Sequence, residues 1–338
     1  MEDRFGHRIS YLRISITDRC NERCLYCLPE EKQEWLPRDG ILTYEEIIRI
    51  VSLGAEMGIK RVRVTGGEPL TRRGIVDFFR MLHAVPGIAE TALSTNGTLL
   101  DQPARGASEG SPSVAAALAE LGVHSVNISI DTMDPVAYAA TAGRDYLPRV
   151  LAGIAAARSA GFPAVKLNAV LMKGKSEDSL WPLIDYAHAS GCVLRFIELM
   201  PVSTNDVLTA ANFLPCGIAR RLIEEKCGPL LPCPEIRTAG PAVYYQIPGR
   251  DQRIGFIGAM TNLHFCESCN KLRLTSDGKL RPCLGSHMET DILTPLRAGA
   301  DDAELRRIFS DTVDKKPKEH DFRDGKWEPG RKMIAIGG

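Results

Sequence analysis

The chain has no excess of charge of either sign: 42 Lys and Arg stand against 42 Asp and Glu over 338 residues, for a formal net charge of +0. Whole-molecule electrostatics therefore draw it neither to nucleic acid nor to an anionic membrane, and an anionic ligand has to be met by a local basic patch. Long apolar runs are missing too. No stretch approaches the ~20 residues of a membrane span. Met1-Glu2-Asp3-Arg4 lacks the basic-then-apolar layout of a secretory leader, which predicts a cytoplasmic protein. There is no G-x4-G-K-[ST] loop and no G-x-G-x-x-G, so the ordinary nucleotide-binding loops find no support.

What is present is a globular composition, 44% hydrophobic and 25% charged, long enough for one large domain or two ordinary ones. It carries ten cysteines. In such a chain metal ligation or catalysis is expected before disulfides. Cys192, Cys216, Cys227 and Cys233 are scattered and read as buried or incidental thiols. The other six form two tight groups, each one ligand short.

The first group, Cys20, Cys24 and Cys27, is spaced C-x3-C-x2-C. Three thiolates complete neither a tetrahedral zinc site nor a fully ligated four-iron cluster. Either a distant residue closes the site, or one iron stays open to a small molecule. The second group, Cys266, Cys269 and Cys283, is spaced C-x2-C-x13-C. His264 or His287 could complete it as zinc. Two open clusters, one for a cofactor and one for a substrate, fit the repeated shortfall better.

Hydrophobic patterning places the first group in a fold. Residues 12–17 alternate apolar and polar as a strand and lead into the cysteine loop. Thr43 with Glu46 forms a capping box for a helix. Strands follow at 61–65, 91–95, 125–130, 164–172 and 193–200. Helices are expected near 73–84, 114–121, 147–160 and 179–189. This is an α/β chain, and the alternation predicts an incomplete (βα)6-type TIM barrel. Strands at 243–248 and 253–259 predict an antiparallel element that closes it, followed by a helix near 302–313. The chain divides into 1–235 and 236–338. In such barrels the chemistry sits at the strands' C-terminal ends. The cysteine loop, Gly66-Gly67-Glu68-Pro69 and Ser94-Thr95-Asn96-Gly97 all fall there. Residues 105–113 read as a surface insertion, and the last five residues as a flexible glycine tail.

Basic residues recur on the strands. Arg13, Arg61 and Arg63 alternate with apolar neighbours, and Lys271, Arg273 and Arg281 lie within the second cysteine group. Pointing into a barrel they need an anion; pointing outward they are snorkelling surface residues.

The segments YLRISITDRCNERCLYC, RVTGGEPL, LSTNG, NISID, TAGR, KLNAVLMKG, RFIELMP and FCESCNKLRLTSDGKLRPCL, with the terminal Gly337-Gly338, resemble the GTP 3′,8-cyclase family of the radical S-adenosylmethionine (SAM) superfamily. The resemblance implies two [4Fe–4S] clusters, one on Cys20, Cys24 and Cys27 and one on Cys266, Cys269 and Cys283. It implies SAM contacts at Tyr26, Gly67, Ser129 and Met200. It implies GTP contacts at Arg13, Arg63, Ser94, Lys166, Arg195, Lys271, Leu272 and Arg273. Gly337 and Gly338 are implied to assist catalysis from the tail. The implied reaction opens molybdenum cofactor biosynthesis. A 5′-deoxyadenosyl radical takes hydrogen from C3′ of GTP, and C3′ then bonds to C8, giving (8S)-3′,8-cyclo-7,8-dihydroguanosine 5′-triphosphate. A homodimer, an external reductant and a downstream cyclic pyranopterin monophosphate synthase are implied as partners. Three positions depart from the family's usual pattern: Leu28 for methionine, Ser94 for threonine, and Lys271 for arginine, which keeps charge but loses bidentate geometry.

Overall fold

The computed structural model describes residues 1–28, 35–106, 108, 110–202, 209, 211–236, 238, 240–324, 331 and 333–337. Six strands lie side by side in chain order and run parallel: β1 (Tyr11–Ser15), β2 (Arg61–Thr65), β3 (Glu90–Thr95), β4 (Ser125–Ser129), β5 (Ala164–Leu171) and β6 (Val193–Glu198). Between them run α1 (Tyr44–Glu56), α2 (Ile75–His83), α3 (Val114–Glu120), α4 (Pro135–Ala142), α5 (Leu147–Ser159) and α6 (Leu180–Ala189). Helix α1 starts where its capping box places it. The Thr43 hydroxyl accepts from the Glu46 amide at 3.2 Å, and the Glu46 carboxylate accepts from the Thr43 amide at 2.7 Å. Helix α4 has no clear apolar period in its small-residue run. Its ends are set locally, by Asp134 accepting from the Ala137 amide at 2.7 Å and by Gly143 at φ 65°.

Alternation gives each parallel strand two faces. Leu12, Ile14, Val62, Val64, Leu93, Val126, Leu167 and Leu194 belong to one continuous apolar core shared with the helices. The opposite face is polar. Register sets Arg13 beside Arg63, Ser94 beside Asn127, Asn127 beside Lys166, and Asn168 beside Arg195. Arg13 and Arg63 therefore face inward, whereas Arg61 at the start of β2 pairs with Glu90 at 2.8 Å with its side chain 38% exposed.

The C-terminal part extends both edges of this sheet. The added strands are β7 (Leu231–Pro232), β8 (Val243–Gln246), β9 (Arg253–Ile257), β10 (Lys271–Leu274), β11 (Lys279–Arg281) and β12 (Thr290–Asp291). Among the described residues the order is β12-β11-β10-β1-β2-β3-β4-β5-β6-β9-β8-β7, with no ladder joining the two ends. Strand β8 pairs antiparallel with β9 as expected, and β11 pairs antiparallel with β10. Strand β9 runs parallel to β6, and β10 parallel to β1. The barrel is thus open in hydrogen-bonding terms. Helices α7 (Cys216–Cys227), α8 (Leu293–Arg297) and α9 (Asp302–Asp314) cover this part. The tail is not free over its described residues: α10 (Met333–Ile336) is a helical turn, with Ile334 and Ile336 buried. Two isoleucines two positions apart supply the apolar anchor that the glycines obscured.

Candidate active site

The cysteine loop sits at the C-terminal end of β1. Its backbone is tied to α4: the Arg23 amide donates to the Ala142 carbonyl at 2.8 Å and the Leu25 amide to the Thr141 carbonyl at 3.0 Å. Cys20, Cys24 and Cys27 are free thiols and electrostatic neighbours of one another. Burial pushes the Cys27 thiol up to about 12, and the Cys20 and Cys24 thiols upward as well. A metal inverts this order, because a coordinated thiol is deprotonated outright. Among the described residues, no three His, Cys, Asp or Glu side chains converge as one ion requires. A cubane cluster asks for a wider set, since its cysteines bind different irons. Three thiols close enough to act on one another electrostatically at each cysteine group fit such a cluster.

Buried carboxyls organise the loops around the first group. Glu68 accepts from the Leu70 amide at 2.9 Å, the Thr95 hydroxyl at 2.8 Å and the Asn96 amide at 2.7 Å, which ties the GGEP segment to the STNG segment. Burial raises its carboxyl to about 7 against those donors. Asp131 accepts from the Tyr26 hydroxyl and the Val170 amide, both at 2.8 Å, and burial raises it to about 6. Gly67 lies against the preceding loop. A Cβ there would stand 2.3 Å from the Arg19 carbonyl oxygen, so only glycine fits. Ser129 is exposed at the end of β4. Met200 packs on Val202, Phe322 and Ile336.

Inside the barrel the cations meet. Arg63 is 8% exposed. It donates to the Tyr11 hydroxyl at 2.6 Å, the Leu93 carbonyl at 2.9 Å and the Ser125 hydroxyl at 3.3 Å. Arg195 donates twice to the Asn168 side-chain Oδ1, at 3.0 and 2.7 Å. The Lys271 ammonium lies 5.8 Å from the Tyr11 ring centre. Burial, with Arg195 and Arg63 nearby, lowers the Lys166 ammonium to about 8. Burial lowers Arg13 to about 10 and Arg273 to about 9, with Arg63 and Arg195 acting on the first and Arg13 on the second. Burial works to raise the Tyr11 phenol, but Arg63, Arg13 and Lys271 outweigh it and bring it down. Among the described residues, Arg63, Lys166, Arg195, Lys271 and Arg273 make no ion pair with a carboxylate. Asn127 Oδ1 is buried with no hydrogen-bond partner among them. Such a concentration of unneutralised charge is costly and is relieved by a polyanion. Ser94 is half-buried on the same face. The Leu272 side chain turns the other way into the apolar core.

The second group lies beside β10 and β11. Lys316, 3% exposed, donates to the Lys271 carbonyl at 3.0 Å and the Pro282 carbonyl at 2.6 Å, and reaches Cys269. Burial works to raise the Cys269 thiol, but Lys316 and Lys271 bring it below the ordinary value. Burial raises Cys283. Arg281 does not join the lumen cations. It is held by Glu289 at 2.7 Å and by the Cys283 carbonyl at 3.2 Å, and so braces the loop of Cys283. His264 is turned outward onto Glu267 at 2.6 Å, with its side chain 77% exposed, and does not complete a zinc site. Cys192, Cys216 and Cys233 are buried thiols.

The tail links the two ends of the cavity. The Ile334 amide donates to the Cys27 sulfur, and the Gly337 carbonyl accepts from Arg273. Gly337 has φ +83°, and a Cβ there would lie 2.8 Å from Thr65 Cγ2. Gly338 lies outside the described residues. Sequence reasoning missed Glu198, which accepts from the amides of Cys216, Met260 and Thr261 at 2.9, 2.8 and 3.0 Å and so fixes the loop leading to the second group. It stood inside the quoted RFIELMP segment. Lys316 stood in no motif.

Residues 14–187 match the radical SAM superfamily model, and residues 192–322 match the molybdenum cofactor synthesis C model. The chain is 40% identical to the GTP 3′,8-cyclase of Pelotomaculum thermopropionicum over 338 residues, all of both chains. It is 42% identical to that of Moorella thermoacetica, again over all of both chains. The Paracoccus denitrificans enzyme of the same name is 43% identical, covering 95% of this chain and 89% of that one. Among solved structures, Streptococcus suis SuiB bound to S-adenosylmethionine superposes with a TM-score of 0.59 at 17% identity, covering 90% of this chain and 68% of that one. Native anSMEcpe with bound AdoMet gives 0.55 at 14% identity, covering 97% and 87%. These two likenesses are of fold. With family models spanning most of the chain and relatives matching it end to end, this is a member of the GTP 3′,8-cyclase family of radical SAM enzymes.

Proposed function

We propose that the chain converts GTP to (8S)-3′,8-cyclo-7,8-dihydroguanosine 5′-triphosphate, the first step of molybdenum cofactor biosynthesis. The observation that carries this is the inward-facing set of cations in a barrel whose first cysteine group follows the C-terminal end of β1 and whose second flanks the N-terminal end of β10. The clusters and SAM, when bound, would supply a 5′-deoxyadenosyl radical that takes hydrogen from the ribose C3′; C3′ then bonds to C8, and one electron from the external reductant with one proton closes the shell of the dihydro product. Cys20, Cys24 and Cys27 would hold the first cluster, and Cys266, Cys269 and Cys283 the second, which would supply a binding site for the guanine.

The chain's own residues orient and exclude. Tyr26, Gly67, Ser129 and Met200 receive SAM. Arg13, Arg63, Lys166, Arg195, Lys271 and Arg273 hold the triphosphate by charge-assisted donors, with Ser94 adding a hydroxyl. Leu272 serves by setting its two basic neighbours on one face. Gly337 and Gly338 assist the chemistry from the tail. A homodimer, an external reductant and a cyclic pyranopterin monophosphate synthase downstream complete the setting, which we place in the cytoplasm. Among the described residues no helix is long and apolar enough to cross a membrane. We divide the chain into 1–235, the partial barrel with the first cluster, and 236–338, the C-terminal region with the second cluster and the glycine tail.

Anaerobic reconstitution with iron and sulfide, followed by dithionite, SAM and GTP, tests this. Mass spectrometry should show 5′-deoxyadenosine and cyclised GTP together, at about eight irons per chain from two four-iron clusters. Deoxyadenosine without a GTP product keeps the radical chemistry and removes the substrate assignment.

A further inference from the structure

A cleft of ≈ 720 Å³ lies outside the barrel, against the cysteine loop, and Cys20 forms part of its wall. Arg19, Arg38, Arg72, Arg73 and Arg105 line it, and no carboxylate does among the described residues. Arg72 is structural: it donates to the Leu42 carbonyl at 2.7 Å and lies 4.1 Å from the Tyr44 ring centre. The other four are exposed. Some exposed arginines elsewhere are paired, Arg49 with Asp302, Arg250 with Asp185 and Arg306 with Glu56, while others, such as Arg144, Arg158 and Arg221, stand singly rather than around a cleft. The four at the cleft pair with no carboxylate among the described residues. In a chain of zero net charge this is a local concentration. Arg105 adds to it: it donates to the Thr71 carbonyl at 3.0 Å, and Gly106 lies beside the Arg73 side chain, which brings one more guanidinium to the rim.

We propose that this cleft docks an acidic one-electron carrier protein, which reduces the cluster held by Cys20, Cys24 and Cys27 from the Cys20 side. The proposal rests on the cluster assignment above. One electron leaves the carrier's reduced centre and enters the cluster; the carrier is oxidised by one electron, the cluster is reduced by one, and no proton or bond is exchanged. A small polyanion needs convergent, buried donors, and those are in the lumen, where Arg195 and Arg273 are each 6% exposed. The rim arginines come from four separate segments and stay in water. Spread, exposed charge of one sign steers a large partner and sets its encounter rate and salt dependence.

The test uses the full reconstituted chain and the triple charge reversal Arg38→Glu, Arg73→Glu, Arg105→Glu, with Arg105→Glu alone as the milder variant. Stopped-flow bleaching of the cluster by a reduced acidic flavodoxin is followed against ionic strength, and binding is followed by calorimetry. The triple variant should react on the order of 10- to 100-fold more slowly at low salt and lose most of its salt dependence, with Arg105→Glu intermediate. Light-driven reduction by deazaflavin, which needs no docking face, should bleach wild type and variants equally. Equal rates with flavodoxin for all three proteins would overturn the proposal. So would stoichiometric pyrophosphate binding that the variants lose while carrier rates hold. If deazaflavin gives a bleached cluster but no GTP product, the cyclase reading fails while the docking result stands on its own.

Discussion

Lys166→Met separates the cost of the lumen charge from its use. Lys166 on β5 has its ammonium lowered from 10.5 to about 8, by burial first and then by Arg195 and Arg63. At ~1.4 kcal/mol per unit, a shift of this size penalises the charged folded form by roughly 3 kcal/mol. The folded pKa is depressed, so below pH 8 the unfolded and folded chains are both charged and the whole penalty is present. As pH rises from about 8 to about 10.5 the folded chain loses its proton first, the unfolded chain binds more protons, and stability rises. Methionine removes the charge and keeps most of the volume. The ligand-free variant should therefore be more stable at pH 7, by on the order of 1–3 kcal/mol, and show a smaller gain between pH 8 and 10 than wild type, the part due to Arg273 remaining. GTP binding should move the other way. Losing one charge-assisted donor to the triphosphate costs about 1.5–3 kcal/mol, or roughly 10- to 150-fold in affinity. Urea unfolding of the ligand-free protein at pH 7 and pH 10, with calorimetric titration of GTP, measures both. A variant that is less stable at pH 7 and binds GTP as tightly as wild type would refute the reasoning.

Three further changes test other parts of the site. Glu68→Ala removes the shared acceptor of Leu70, Thr95 and Asn96 and leaves buried donors unsatisfied; the expected loss is about 3 kcal/mol or more in urea unfolding, and a loss under about 1 kcal/mol would show the loops hold without it. Gly337→Ala forces a side chain onto Thr65 at φ +83°; the strain, about 1–2 kcal/mol, should speed amide exchange across Met333–Ile336, and unchanged exchange would mean the tail is docked by its isoleucines alone. Lys316→Met removes the ammonium shared by Cys269 and the carbonyls of Lys271 and Pro282; reconstituted iron should fall from about eight toward about four per chain, with SAM cleavage retained, and full iron loading would remove Lys316 from the second site.

The parallel core was legible because its signals are local. Strand β2 runs from Arg61 to Thr65 as its alternation predicts, and α1 starts on the Thr43 capping box. The first cysteine group and the GGEP and STNG segments fell at strand ends for the same reason. Partners far apart in the chain were not legible. Strand β10 beside β1, Arg281 spent on Glu289, and Lys316 beneath Cys269 are fixed by tertiary approach and leave no period in the sequence. The direction of the basic strand residues was undecided until register put Arg13, Arg63 and Arg273 side by side. The docked tail was missed because two glycines suggest freedom, whereas Ile334 and Ile336 supply the burial that orders it.

One alternation serves both folding and chemistry, and the tail shows how. The odd-numbered residues of β1 and β10 carry charge inward, while Leu12, Ile14, Leu272 and Leu274 close the core outward. The apolar face supplies the stability that the charged face costs, so the cations can wait unneutralised for an anion. Arg273 has five donors and gives one to the Gly337 carbonyl. A triphosphate in the lumen takes others of the same guanidinium and anchors it further. The Arg273 contact then links substrate occupancy to the tail, and through the Ile334 amide to Cys27 at the first cysteine group. Binding GTP should therefore slow amide exchange at Ile334, and Arg273→Lys, which keeps the charge but not the fork, should weaken that slowing more than it weakens GTP binding.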